Sequence, residues 1–275
     1  MFRIDSHQHF WQLSRGDYDW LTPELALLYK DFLPSDLSPV LEECDVNNTI
    51  LVQAAPTVEE TEFMLKLADN TDFILGVVGW VDMESDKAIS QLESFSQNPL
   101  FKGIRPMLQD IEDVNWMLKP ELASVFEYLI DKGLTFDALV LPKHLDALYL
   151  LLKKYSDLKV VIDHGAKPPI EKGLSQEWFE KMSLIASETR AYCKLSGLVT
   201  EAGHNPHLDR IAPYIEYLLI CFGPERLMWG SDWPVVNLSS SYQFWLNQAE
   251  ELIAPLSKNE QQLILADNAK NFYQL

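Results

Sequence analysis

Three observations predict that this 275-residue chain folds as an α/β protein, a single barrel domain over residues 1–275. Short apolar, β-branched runs alternate with longer amphipathic segments, the pattern of parallel βα units. The length suits one such barrel, whose usual size is about 250 residues. Residues fit for metal chemistry stand at the start (His7, His9), past the middle (His164) and near the end (Asp232), positions that a closed barrel gathers around one pocket.

Eight runs read as strands: Phe2–Ser6, Thr49–Gln53, Ile74–Trp80, Gly103–Arg105, Thr135–Val140, Lys159–Ile162, Ala191–Leu195 and Leu227–Gly230. Their near-continuous apolar character suits a sheet buried on both faces. The intervening segments Glu59–Asn70, Ser85–Asn98, Pro120–Lys132, Leu145–Tyr155, Trp178–Ala186 and Pro213–Cys221 read as helices. The second of these sets Ile89, Leu92 and Phe95 at three-residue steps between polar neighbours. No low-complexity linker or charge block divides the chain.

Composition narrows the function classes. With 47% hydrophobic and 23% charged residues, the chain can build a sizeable core. A net charge of −19, from 41 acids against 22 Lys and Arg, argues against nucleic acid or an anionic membrane as partner. A small anionic ligand stays open, because local cations override a global field. Cys44, Cys193 and Cys221 are odd in number and scattered, which suggests neither a disulfide framework nor a cysteine zinc site. No apolar signal region or membrane-length run is present, so a cytoplasmic protein is the expectation. Oligomeric state is not legible.

In such a barrel the active site is built at the C-terminal ends of the strands. Polar or aromatic residues stand at nearly every one of them. His7 and His9 end the first strand, Gln53 the second, Trp80 the third and Arg105 the fourth. Asp163 and His164 end the sixth, Lys194 and Ser196 the seventh, and Asp232 follows the eighth. Residues i and i+2 of a strand share a face, so His7 and His9 aim two imidazoles the same way. A lone His-x-His is weak evidence for a metal; joined to His164 and Asp232 it points to an active site.

Blander readings stand beside these. Asp232 could merely cap a helix within Ser231-Asp232-Trp233-Pro234. Arg105, sent upward from a short apolar strand, suits carboxylate or carbonyl recognition, or else is a surface residue before Pro106. Trp80 and Trp233 border strand ends as candidate apolar walls, whereas Trp229 reads as core. Lys194, between Cys193 and Leu195 in a buried strand, needs a partner and is taken as a substrate contact, as is Gln53. His204 and His207 read as solvated loop residues and His144 as a helix start.

The set Asp5-Ser6-His7-Gln8-His9-Phe10-Trp11, Val78-Gly79-Trp80-Val81-Asp82, Asp163-His164-Gly165-Ala166-Lys167-Pro168, Lys194 through Ala202 and Gly230-Ser231-Asp232-Trp233-Pro234 resembles the amidohydrolase superfamily. More narrowly it resembles the sugar-lactone hydrolase branch, and the likeness runs to Asn268-Ala269-Lys270-Asn271-Phe272-Tyr273. The resemblance implies a distorted (β/α)8 barrel and hydrolysis of a ring ester, in an aldonolactone such as L-fucono- or L-rhamnonolactone. It implies Asp232 and His164 as catalytic residues and His7, His9, Asp232 and Glu201 as metal ligands. Many members hold two metals bridged by Lys or His at the end of the fifth strand. Here that strand reads Phe136-Asp137-Ala138-Leu139-Val140, so at most one divalent ion is expected, zinc foremost, and catalysis need not depend on it. Other readings are a pyrone-dicarboxylate lactonase or aromatic-acid decarboxylase of the same superfamily, and a non-catalytic barrel binding a sugar acid or a metal.

Overall fold

The computed structural model describes residues 1–203 and 206–275. Its strands are β1 (Ile4–Gln8), β2 (Asn48–Val52), β3 (Ile74–Gly79), β4 (Phe101–Ile104), β5 (Thr135–Ala138), β6 (Lys159–Ile162), β7 (Tyr192–Leu195) and β8 (Leu227–Trp229). They form one sheet in sequence order, each strand parallel to the next. The first and last strands meet just beyond β8. There the His9 amide donates to the Trp233 carbonyl at 2.7 Å and the Asp232 amide to the His7 carbonyl at 2.8 Å. This contact closes the (β/α)8 barrel and carries Asp232 back to the start of the chain.

Strand alternation sorts the apolar residues into two layers. Ile4, Ile50, Val52, Val78, Val161 and Met228 pack inside the barrel, while Leu51, Val77, Ile104 and Ile162 join the layer under the helices. That outer layer receives α1 (Pro34–Glu43), α2 (Val58–Ala68), α3 (Ala88–Phe95), α4 (Ala123–Lys132), α5 (Leu145–Lys154), α6 (Gln176–Glu188), α7 (Leu198–Glu201), α8 (Leu208–Phe222) and α9 (Tyr242–Ile253). In α4, for example, Val125, Phe126 and Leu129 are buried at helical spacing. Each such side chain contributes about 1.5–3 kcal/mol. Helix α10 (Lys258–Gln262), a π-helical turn (Leu263–Asp267) and α11 (Asn268–Tyr273) complete the chain. Ala266, Ala269, Phe272 and Tyr273 from this last stretch join the inner cluster.

Several boundaries differ from the sequence reading. The first strand runs Ile4–Gln8 rather than Phe2–Ser6, so His7 lies inside it. The fifth stops at Ala138, where the Val140 amide turns back to the Ala138 carbonyl ahead of Pro142. Helix α8 begins at Leu208 although Pro213 lies within it. The sequence reading begins this helix at Pro213. No helix is long and apolar enough to cross a membrane among the described residues.

Candidate active site

The C-terminal ends of the strands open into a cavity of about 300 Å³. Its floor is His9, Arg105, His164 and Asp232, with Lys167 and Asp110 higher on the wall and Trp20, Leu25, Met107, Val235 and Leu238 forming an apolar side. Below the floor lies His7, fully buried.

Local backbone geometry aims these groups. His164 and Lys167 have left-handed conformations, φ 54° and 48°, and the turn they form lifts both out of the end of β6. A Cβ at Gly197 would lie 2.6 Å from His164 Nδ1, so this glycine makes room for the imidazole. The Ser196 hydroxyl faces the same nitrogen at 2.8 Å. Asp232 is also left-handed, φ 59°, and its amide bond to the His7 carbonyl fixes it opposite β1.

The donor atoms converge. His7 Nε2 and His9 Nε2 are 3.2 Å apart, and Asp232 Oδ1 lies 3.3 Å from His9 Nε2, 3.8 Å from His7 Nε2 and 3.9 Å from His164 Nε2. The Nδ1 of His9 stands 2.7 Å from the Val52 carbonyl, which assigns the proton to that nitrogen and leaves Nε2 as an acceptor. A carboxylate oxygen and an imidazole lone pair therefore face each other across 3.3 Å, an arrangement that calls for a positive species between them. Ligand atoms around a tetrahedral zinc, at about 2.0–2.1 Å from the ion, sit roughly 3.3 Å apart. The set His7, His9 and Asp232, mutually within 4.8 Å, thus fits a divalent ion.

Asp163 and His164 form a second candidate group with His7. That corner already holds a cation: Lys194 Nζ sits 2.6 Å from Asp137 Oδ2, 3.1 Å from Asp163 Oδ1 and 3.1 Å from His7 Nδ1. Asp137 also accepts from the Tyr273 hydroxyl at 2.6 Å. The Arg105 guanidinium reaches His7 Nε2 at 3.2 Å and Asp163 Oδ2 at 3.4 Å, and it donates to the Gln53 carbonyl. Its Nε has no partner among the described residues.

Burial and charge set the protonation states. Burial pushes the His164 imidazole down to about 4, more than Asp232 and Asp163 raise it. Burial also lowers His7, reinforced by Lys194, and lowers His9. Burial by itself would raise Asp232, but His164, His9 and His7 around it outweigh that and hold its carboxyl well below the usual range. Burial likewise opposes ionisation of Asp163, and Lys194 with His7 and Arg105 reverses it. The ionised Asp232 carboxylate thus stands beside His9 and His164 on the floor and above His7, imidazoles whose basicity burial lowers.

The structure brings together His7, His9, Arg105, His164 and Asp232, and it corrects the positions of the other sequence candidates. Gln53 lies outside the wall; its amide is buried and donates to the Arg105 carbonyl at 2.6 Å. Lys194 is fully buried among its acids under the site rather than at the substrate. The Trp233 indole packs edge-on against Phe10 and Phe32, outside the cavity. Half-buried Trp80, its backbone bound both ways by the Thr61 hydroxyl, does not line the cavity either. Glu201 stands 3.8 Å from Lys167 and outside both ligand groups. His144 accepts the Leu141 amide at a helix start, and His207 is exposed, both as expected, whereas His204 lies outside the described residues. The apolar wall from Trp20 and Leu25 went unread. Its signal was the length of the Gln8-to-Pro34 connection, since long loops in compact domains are usually functional.

Known proteins share this architecture along its whole length. A Burkholderia ambifaria protein named L-fucono-1,5-lactonase is 43% identical over 278 residues, covering 100% of this chain and 96% of its own. A second protein of that name, from Burkholderia multivorans, is 33% identical over 87% of this chain and 84% of its own. The crystal structure of a Burkholderia multivorans amidohydrolase with bound zinc superposes with a TM-score of 0.94 at 32% identity, covering 100% of both chains. A probable 2-pyrone-4,6-dicarboxylic acid hydrolase from Acinetobacter baumannii, 20% identical with a TM-score of 0.83 over 100% of both chains, shares the fold. The amidohydrolase family model matches residues 4–275, and the chain belongs to that family.

Proposed function

We propose that this chain, acting as one unit over residues 1–275, is a hydrolase that opens the ring ester of a small sugar lactone, L-fucono-1,5-lactone or a close aldonolactone. One observation carries the reading: the Asp232 carboxylate lies within 3.9 Å of the Nε2 atoms of His9, His7 and His164 on the floor of a cavity lined by both polar and apolar side chains. The 43% identity to a protein named for that activity supports it. Cations and acids on the cavity wall balance, Arg105 and Lys167 against Asp110 and Asp232, which suits a neutral substrate better than a dicarboxylate.

Asp232 takes a proton from the attacking water as it adds to the lactone carbonyl. Charge then grows on the carbonyl oxygen, where Arg105 and His164 are the available donors; one such donor is typically worth about 3–4 kcal/mol. The tetrahedral carbon expels the ring oxygen, which receives the proton from Asp232, and the open aldonate leaves. Ser196 holds the ring of His164 for this role, and Lys167 stands at the mouth to meet the product carboxylate. A divalent ion, zinc in this reading, held by His7, His9 and Asp232, supplies Lewis acidity toward water and carbonyl when bound. One ion is expected, because Lys194 already neutralises the Asp163 corner, where the second group of candidate ligands lies.

Acid release from a panel of sugar lactones, with a pyrone dicarboxylate as counter-substrate, tests this. Turnover of a sugar lactone and not of the dicarboxylate is expected; the reverse would replace the reading. In the same assay, zinc added to metal-stripped enzyme changes the rate up to one equivalent per chain. Saturation at two would overturn the single-ion site.

A further inference from the structure

The connection from β1 to α1 reaches the cavity through Trp20, and the way it is tied down exceeds what loop closure requires. The Trp20 indole stands edge-on to Trp11, ring centroids 5.4 Å apart, and its Nε1 donates to the Ala54 carbonyl at 2.7 Å. The amide of the same residue, Ala54, donates to Glu60 Oε1 at 3.0 Å. The other oxygen of Glu60 accepts from the Tyr18 hydroxyl at 2.7 Å and lies 3.3 Å from Arg15 Nη2. Arg15 in turn covers the Phe63 ring at 4.5 Å. Glu60 is fully buried, and burying a carboxylate is costly unless its bonds are directional and complete. Apolar packing would close the loop without that cost. A clamp on both backbone polar groups of one residue, Ala54, instead fixes where Trp20 stands.

We propose that Trp20 is a specificity-determining residue, an aromatic wall for the hydroxyl-free end of a deoxysugar lactone, and that Tyr18 and Glu60 position it. The inference rests on the lactonase reading. Trp20 lines the cavity together with Leu25, Met107, Val235 and Leu238, the cavity whose floor holds His164 and Asp232. A methyl group of the sugar loses nothing by facing that side, whereas a hydroxymethyl group there would shed its water without a matching partner.

The test compares L-fucono-1,5-lactone with the same lactone carrying a hydroxymethyl in place of its methyl, for wild type, Trp20→Ala and Tyr18→Phe. Wild type prefers the methyl compound in kcat/KM by roughly 10-fold or more, and Trp20→Ala brings that preference to within about 3-fold. Tyr18→Phe keeps the residue-18 ring but removes one of the hydrogen bonds that hold Glu60; it raises KM for the methyl compound about 3–10-fold with kcat nearly unchanged, the pattern of lost uniform binding. Retained preference in Trp20→Ala, or a fall in kcat alone for Tyr18→Phe, overturns the proposal. Hydrogen exchange at the Ala54 amide reads the clamp without turnover: faster exchange in Tyr18→Phe supports it, and unchanged exchange overturns it. If wild type opens neither lactone, the lactonase reading fails while the exchange result still decides the clamp.

Discussion

Asp232→Asn is expected to lower kcat at least ~100-fold while the protein stays folded. The carboxylate is the one ionised group on the cavity floor that can take a proton from water and return it to the ring oxygen. Asparagine keeps its size but accepts no proton. The backbone bonds that seat position 232, its amide to the His7 carbonyl and its carbonyl to the Val236 amide, are unaffected. Asparagine also tolerates the left-handed conformation found there. A purely structural capping role predicts near-normal turnover, because Asn caps as well as Asp does. Steady-state kinetics beside a thermal unfolding curve separates the two outcomes.

The second large effect lies beneath the site. Lys194→Met should destabilise the fold by about 3–5 kcal/mol, since it leaves buried Asp137 and Asp163 without their shared cation. Burial already pushes the Asp137 carboxyl up, and Lys194 is the strongest influence opposing that shift. Denaturant unfolding measures the loss. A variant as stable as wild type, with only a raised KM, would return Lys194 to the substrate-binding role that its strand-end position suggests.

That contrast shows what strand-end position can tell and what it cannot. His7, His9, His164 and Asp232 were legible because barrel closure gathers strand ends, and imidazoles with carboxylates there have few structural uses. Lys194, Gln53, Trp80 and Trp233 sit at similar sequence positions, yet depth along the strand decides their fate. Lys194 points into the barrel low enough to meet Tyr273 and Asp137 rather than the cavity. Gln53 spends its amide on the Arg105 carbonyl, and Trp233 turns outward into aromatic neighbours. The alternation of strands and helices was readable from periodicity, and so in principle was α9, whose Tyr242, Trp245, Leu246, Ala249 and Ile253 repeat at helical spacing. The Trp20 wall was not readable in this way. A loop carries no period, and the carbonyl that seats Trp20 belongs to Ala54, itself held by Glu60, both remote in sequence.

Hydrolysis of L-fucono-1,5-lactone in ¹⁸O-enriched water tests the central claim most directly. Water attacking the carbonyl carbon, with Asp232 as base, places one ¹⁸O in the carboxylate of the aldonate and leaves the oxygen of the released hydroxyl unlabelled. Label in that hydroxyl, or no product above the spontaneous rate, would contradict the account.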